Sequence, residues 1–147
     1  MLLQLTIGTV LILLTTTVAG AGFLVLEKAL DRVQGWLRTP PHQPKLLALL
    51  IASVFWVLMI VTACVWIWAV ALWLLPVFIT MEASVYFSIV AFTTLGFGDI
   101  LLPQDWRLLA GLTAVNGLLM FGFLTAMLVE VLRRVRNTQS EGGGWTS

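Results

Sequence analysis

Residues 1–26, 46–81 and 108–129 contain no Asp, Glu, Lys or Arg. A helix crosses the hydrocarbon core of a bilayer with about 20 apolar residues, so each run is long enough to span one. The whole chain, 147 residues with 60% hydrophobic and 10% charged, lacks the polar surface that a soluble domain of this length needs. The run at 46–81 is too short for two spans plus a turn and has no Gly or Pro before Pro76, so it reads as one long helix, tilted or protruding. Trp66, Trp68 and Trp73 near its outer end fit an aromatic belt at the headgroup layer. The first run could be a signal peptide, because Ala19-Gly20-Ala21 resembles a cleavage site. It lacks a basic start, and its apolar character continues through Phe23 to Leu26, which favours a retained transmembrane helix.

All eight Lys and Arg residues except Arg107 lie between the first two runs or just after the last. Basic residues at span ends mark the cytoplasmic side. The N-terminus is therefore expected outside and the C-terminus in the cytoplasm, in a plasma (inner) membrane. This constrains 83–100: a fourth crossing there would put Arg133, Arg134 and Arg136 outside, so the segment must enter and leave from the outer face. Such a segment needs its irregular backbone buried in protein or lining a water-filled path. Thr80 can cap a short helix, Glu82 suits its positive end, and 81–92 has no Gly or Pro. The helix then gives way to Thr93-Thr94-Leu95-Gly96-Phe97-Gly98-Asp99.

A short helix followed by that heptapeptide, between two spans, resembles the pore module of potassium channels, whose filter usually reads Thr-Val-Gly-Tyr-Gly-Asp. The resemblance covers 46–134; Leu95 and Phe97 stand where Val and Tyr are commoner. It implies an all-α membrane protein with three transmembrane helices, a re-entrant pore helix and a selectivity-filter loop, assembled as a fourfold homotetramer. It further implies K+ sites formed by the hydroxyl and carbonyl of Thr94 and the carbonyls of Leu95, Gly96, Phe97 and Gly98. Thr93, Asp99, Phe87 and Val90 would support them. Gly96 and Gly98 can take positive φ at little steric cost, which lets successive carbonyls point to one side.

In many relatives an aromatic donor on the pore helix holds the carboxylate after the filter. Phe87 stands at that position and cannot donate, and Tyr86 lies about 100° away around the helix. Asp99 is therefore expected to meet solvent, Arg107 or a backbone amide. The filter would then rest on packing around Phe87, Phe92 and Phe97.

Asn116, Gly117, Met120, Leu124 and Glu130 are the candidate cavity or gate positions. Asn116 could line a cavity or bond the pore helix, and Glu130 could pair with Arg133 or Arg134 or ring the inner mouth. Gly117 and Gly122 could serve close packing or bending, with Gly117 the nearer match to the gating hinge of the resembling channels. Leu26, Leu30, Val33 and Leu37, with Trp36, predict an amphipathic helix along the inner membrane surface, followed by a breaker at 40–44 with His42 in a solvated loop.

The expected organisation is an extra transmembrane helix at 1–26 and a cytoplasmic amphipathic segment with Pro-rich linker at 27–45. A pore module at 46–134 follows (outer helix 46–78, pore helix 81–92, filter 93–99, inner helix 107–134), then a flexible tail at 135–147. One His, a single Cys64 and scattered carboxylates give no catalytic or metal-binding constellation, and a net charge of +1 gives no reason to expect nucleic acid. The expected function is passive K+ conduction without a cofactor other than the permeant ion, in contact with membrane lipids. The alternatives are a non-selective cation channel and a non-conducting regulatory membrane subunit, and a further regulatory partner stays open.

Overall fold

A computed structural model describes residues 1–37 and 42–142. Its helices are α1 (Leu2–Leu37), α2 (His42–Leu74), α3 (Met81–Phe92) and α4 (Arg107–Gly142), the last preceded by a 3-10 turn at Gln104–Trp106. Windows in α1, α2 and α4 are long and apolar enough to cross a membrane, whereas α3 is a shorter apolar helix. Only 17% of the α2 window is buried within the subunit, so most of its apolar surface is left for lipid or further copies of the chain.

Helix α1 lies against both α2 and α4. Its buried positions Gln4, Gly8, Leu11, Thr15, Ala19 and Gly22 recur every three or four residues, which is one helical stripe. Small residues in that stripe let the helices approach closely. A Cβ on Gly8 would fall 2.3 Å from Leu112 Cδ1, and one on Gly22 would fall 2.6 Å from Ile60 Cδ1. Polar contacts set the directions. Gln4 Nε2 donates to the Asp105 carbonyl and the Leu108 N–H donates to Gln4 Oε1 at 3.2 Å, while Arg134 Nη2 donates to Glu27 Oε1, so α1 and α4 run parallel. Trp56 Nε1 donates to the Gly22 carbonyl at 3.0 Å and Cys64 Sγ lies 3.8 Å from the Thr15 carbonyl, so α2 runs antiparallel to α1.

Four expectations change here. The surface helix expected from Leu26 is instead the lower end of α1, which continues through Gly35. Leu30 and Val33 prolong the apolar stripe and pack with Val131, Val135, Leu46 and Leu49 in a second small core. That burial outweighs the roughly 1 kcal/mol that a helical glycine costs. Helix α4 likewise runs past 134 to Gly142, with Val135 buried, so 135–142 is helix rather than tail. His42, Gln43 and Pro44 open α2, because proline's missing N–H costs nothing in a first turn. Trp68 is wholly buried while Trp66 and Trp73 are exposed, so only those two suit an aromatic belt. Arg38, Pro40, Pro41, the tail at 143–147 and the side chains of Trp36, Leu37 and His42 lie outside the described residues.

Helix α3 forms as the sequence predicts. Thr80 Oγ1 accepts from the Ala83 N–H at 3.2 Å, and Glu82 lies in the first turn. The helix packs on α2 and α4 through Ser84, Phe87, Ser88, Val90, Ala91 and Phe92, with the Phe87 ring 5.4 Å from that of Phe78.

The α1–α2 approach yields a test. Gly22→Leu should lower stability by about 1–3 kcal/mol through overpacking against Ile60. Gly20→Leu, where a Cβ meets nothing within 4 Å, should leave thermal unfolding in detergent unchanged.

Candidate functional site

The site begins where α3 stops. Thr93 is the C-cap, and Thr94 follows with φ +57°, a left-handed conformation that a β-branched residue rarely adopts. The Thr94 N–H donates to the Ala91 carbonyl at 2.9 Å and the Leu95 N–H to the Val90 carbonyl at 3.0 Å. These two bonds make a Schellman turn in which threonine occupies the position usually given to glycine. Thr93 Oγ1 also donates to the Ile89 carbonyl at 2.8 Å, and the Gly96 N–H reaches Val90 O at 3.4 Å. Val90 thus supports the loop through its backbone, while its side chain is buried.

Positive φ recurs at Gly96 (+59°) and Gly98 (+75°), whereas Leu95 and Phe97 do not have it. A strand that alternates in this way can turn successive peptides the same way, presenting N–H groups on one side and carbonyls on the other. An ordinary strand alternates them. Every residue from Thr93 to Asp99 is exposed in the single subunit, with Leu95 58% and Phe97 65% accessible.

The loop is tied at its far end by a residue that sequence reasoning set aside. Tyr86 Oη donates to Asp99 Oδ2 at 2.6 Å. After the Schellman turn the chain doubles back to the exposed side of α3, where Tyr86 and Ile89 lie, while Phe87 faces the core. The rotation of about 100° that separates Tyr86 from Phe87 is what brings it to Asp99. Neither Phe87 nor Arg107 meets that carboxylate. The hydrogen bond from Tyr86, joined as expected by backbone hydrogen bonds at Asp99 and Ile100, holds the Asp99 carboxyl below its ordinary value, and the same Tyr86 bond, with partial desolvation and the nearby negative charge, pushes Tyr86 up.

Helix α4 braces the other side of the turn. A Cβ on Gly117 would fall 1.8 Å from the Phe92 carbonyl oxygen, so this glycine serves close packing, and the helix is continuous through it. Gly122 has nothing near its Cβ direction. Asn116 bonds neither α3 nor a cavity surface: it is fully buried, and its Nδ2 donates to Thr15 Oγ1 on α1 at 2.8 Å. Met120 and Leu124 are packed inside the subunit core rather than on an open face. The exposed face of α4 carries Val115, Leu118, Leu119, Phe121, Phe123 and Val129 instead. Glu130 Oε1 accepts from Arg134 Nε at 3.0 Å, and Arg134 also meets Glu27 of α1. No cluster of three or more His, Cys, Asp or Glu that could hold a metal occurs among the described residues.

Two substitutions test this geometry by amide hydrogen exchange. Tyr86→Phe should speed exchange at 95–99 while leaving α3 protected. The effect should be constant from about pH 5 to about pH 9: Asp99, with its value lowered, keeps the contact until pH falls below the usual carboxylate range, and Tyr86, with its value raised, loses it only above about 10. Gly117→Ala should displace the end of α3 and destabilise the fold by about 1–3 kcal/mol or more, because the obstructing atom is backbone.

A family model described as ion channel matches residues 46–134, from α2 through α3 and the loop into α4. No curated protein and no solved structure matches the chain. The match covers more than half of the chain, and on that ground the protein belongs to the ion channel family.

Proposed function

We propose that four copies of this chain form a potassium-selective channel whose filter is Thr94 to Gly98. The observation that carries the reading is the recurrence of positive φ at Thr94, Gly96 and Gly98. A potassium ion sheds water only where oxygens at similar distances replace it, and a backbone that can turn each carbonyl to one side supplies them. One strand provides a quarter of such a cage, so a closed ring of four is required. The exposed Leu95 and Phe97 and the apolar open face of α4 are surfaces that neighbouring copies would cover.

Orientation follows from charge. Lys28, Arg32, Arg133, Arg134 and Arg136 belong to the end of the bundle where Glu27 meets Arg134, and Arg107 to the opposite end, where Gln4 meets Leu108. The basic end then faces the cytoplasm, and the N-terminus lies outside a plasma membrane. In this frame α3 enters and its loop returns on the outer side. The negative C-terminal end of α3 is directed toward the membrane interior, where it favours a cation.

Flux into proteoliposomes tests the reading: K+ uptake should greatly exceed Na+ uptake and be blocked by barium. Equal K+ and Na+ fluxes would make the protein a non-selective cation channel. Silence from correctly assembled tetramers, across pH and lipid composition, would make it a non-conducting subunit.

A further inference from the structure

We propose that α1 positions the filter, with Thr15 acting through Asn116 and Gly117 on the end of α3. The proposal rests on the potassium-channel reading for its consequence, although the mechanical link stands on the contacts themselves. Helix α1 lies outside residues 46–134, where the ion channel family is matched.

The link has three consecutive contacts. Thr15 and Asn116 are both fully buried, and the Asn116 amide donates to the Thr15 hydroxyl at 2.8 Å. That hydroxyl, also 2.9 Å from the Leu11 and Ile12 carbonyls, can donate a hydrogen bond to one of them, so it is both acceptor and donor. The next residue of α4, Gly117, projects about 100° away around the helix. There it meets the Phe92 carbonyl so closely that no Cβ would fit. Phe92 is the last residue of α3, and Thr93 and Thr94 follow it into the Schellman turn.

One turn of α4 is therefore held between two neighbours, by a directional bond on the α1 side and by backbone contact on the α3 side. Thr15 is itself fixed to α2, because Cys64 Sγ approaches its carbonyl at 3.8 Å. A hydrophobic pair at 15 and 116 would pack α1 on α4 equally well. It would leave rotation of α4 about its axis free to adjust, and Gly117 would move with that rotation. A hydrogen bond between polar side chains in an apolar interface fixes rotation and register as well as contact. Thr15 and Asn116 are accordingly positioning residues for the Thr94 turn rather than parts of the ion path.

The experiment uses the full chain in proteoliposomes, with tetramer assembly checked for each variant. Thr15→Val removes the hydroxyl at nearly constant shape, Thr15→Ser keeps it, and Asn116→Leu removes the bond from the other side. Thr15→Val and Asn116→Leu should each raise Na+ flux relative to K+ by roughly threefold, the scale of one polar helix contact in a membrane. Thr15→Ser should match wild type, and the double variant should be no worse than Asn116→Leu alone. Amide exchange is the second readout. It should quicken at 92–99 in Thr15→Val and remain unchanged in the lower halves of α1 and α4, where a general loosening of the bundle would show. Unchanged exchange at 92–99 with unchanged selectivity overturns the proposal, as does an equal effect from Thr15→Ser. Should wild type fail to discriminate K+ from Na+, the filter reading fails while the exchange comparison still decides whether α1 acts on the loop.

Discussion

At the end of α3 the chain must reverse without a glycine. Thr94 takes the left-handed conformation there at a cost of roughly 1–2 kcal/mol. The two Schellman bonds offset that cost by satisfying the carbonyls of Val90 and Ala91, which would otherwise end a helix unpaired, and the Thr93 hydroxyl adds a second bond to the Ile89 carbonyl. The alternating backbone depends on this start. With Thr94 in the right-handed region α3 would continue for another turn, and Gly96 and Gly98 would be displaced from the exposed face. Tyr86 would no longer meet Asp99. The strain is thus the first member of the alternation, and Gly96 and Gly98 extend it at positions that carry no steric penalty.

Packing around that turn divides the work between two kinds of surface. Phe78, Phe87 and Phe92 fill the side of α3 that faces α2 and α4, and their burial fixes where the helix sits. The other side carries Tyr86, Ile89 and the loop, exposed in the lone subunit and closed by the charge-assisted bond from Tyr86 to Asp99. A residue's role on a short helix therefore depends on which side the returning chain takes.

This explains what could be read from the sequence and what could not. Uncharged runs announced the three long helices, and Thr80, Glu82 and the absence of Gly or Pro announced α3. The glycine spacing after it announced a backbone of unusual handedness. Each of these signals is local. The partner of Asp99 was not local: choosing between Tyr86 and Phe87 required the path of the loop over α3. Asn116 was legible as an intramembrane polar residue, but its partner on α1 lies about a hundred residues away in sequence, and Thr15 is one of three successive threonines, Thr15, Thr16 and Thr17, with nothing to distinguish it except its place in the Gln4, Gly8, Leu11 stripe. The lower ends of α1 and α4 were misread for a related reason. Leu30 and Val33 read as an isolated amphipathic face and Val135 as part of a tail because the apolar residues that bury them lie far away in sequence.

Among the described residues, polar contacts between α1 and α4 occur at three levels, and their environments rank them. At the basic end, Arg134 and Glu27 have side chains 38% and 30% accessible, so their attraction is weakened by water and salt, and an exposed pair of this kind contributes about 0–1 kcal/mol. Arg134 is also shared with Glu130 of its own helix, which can hold it whether or not α1 is in register. At the opposite end, Gln4 meets backbone groups at the start of α4, and backbone offers similar partners one residue away. Thr15 and Asn116 differ on both counts. They are fully buried, and a shift of α1 by one residue in the direction that sets Leu14 against Asn116 would leave the amide without its hydroxyl partner. Unpaired polar groups in such surroundings cost roughly 1–3 kcal/mol, which exceeds what the exposed ion pair contributes. The register of α1 on α4 is therefore set in the middle of the bundle, beside the glycine that touches the end of α3.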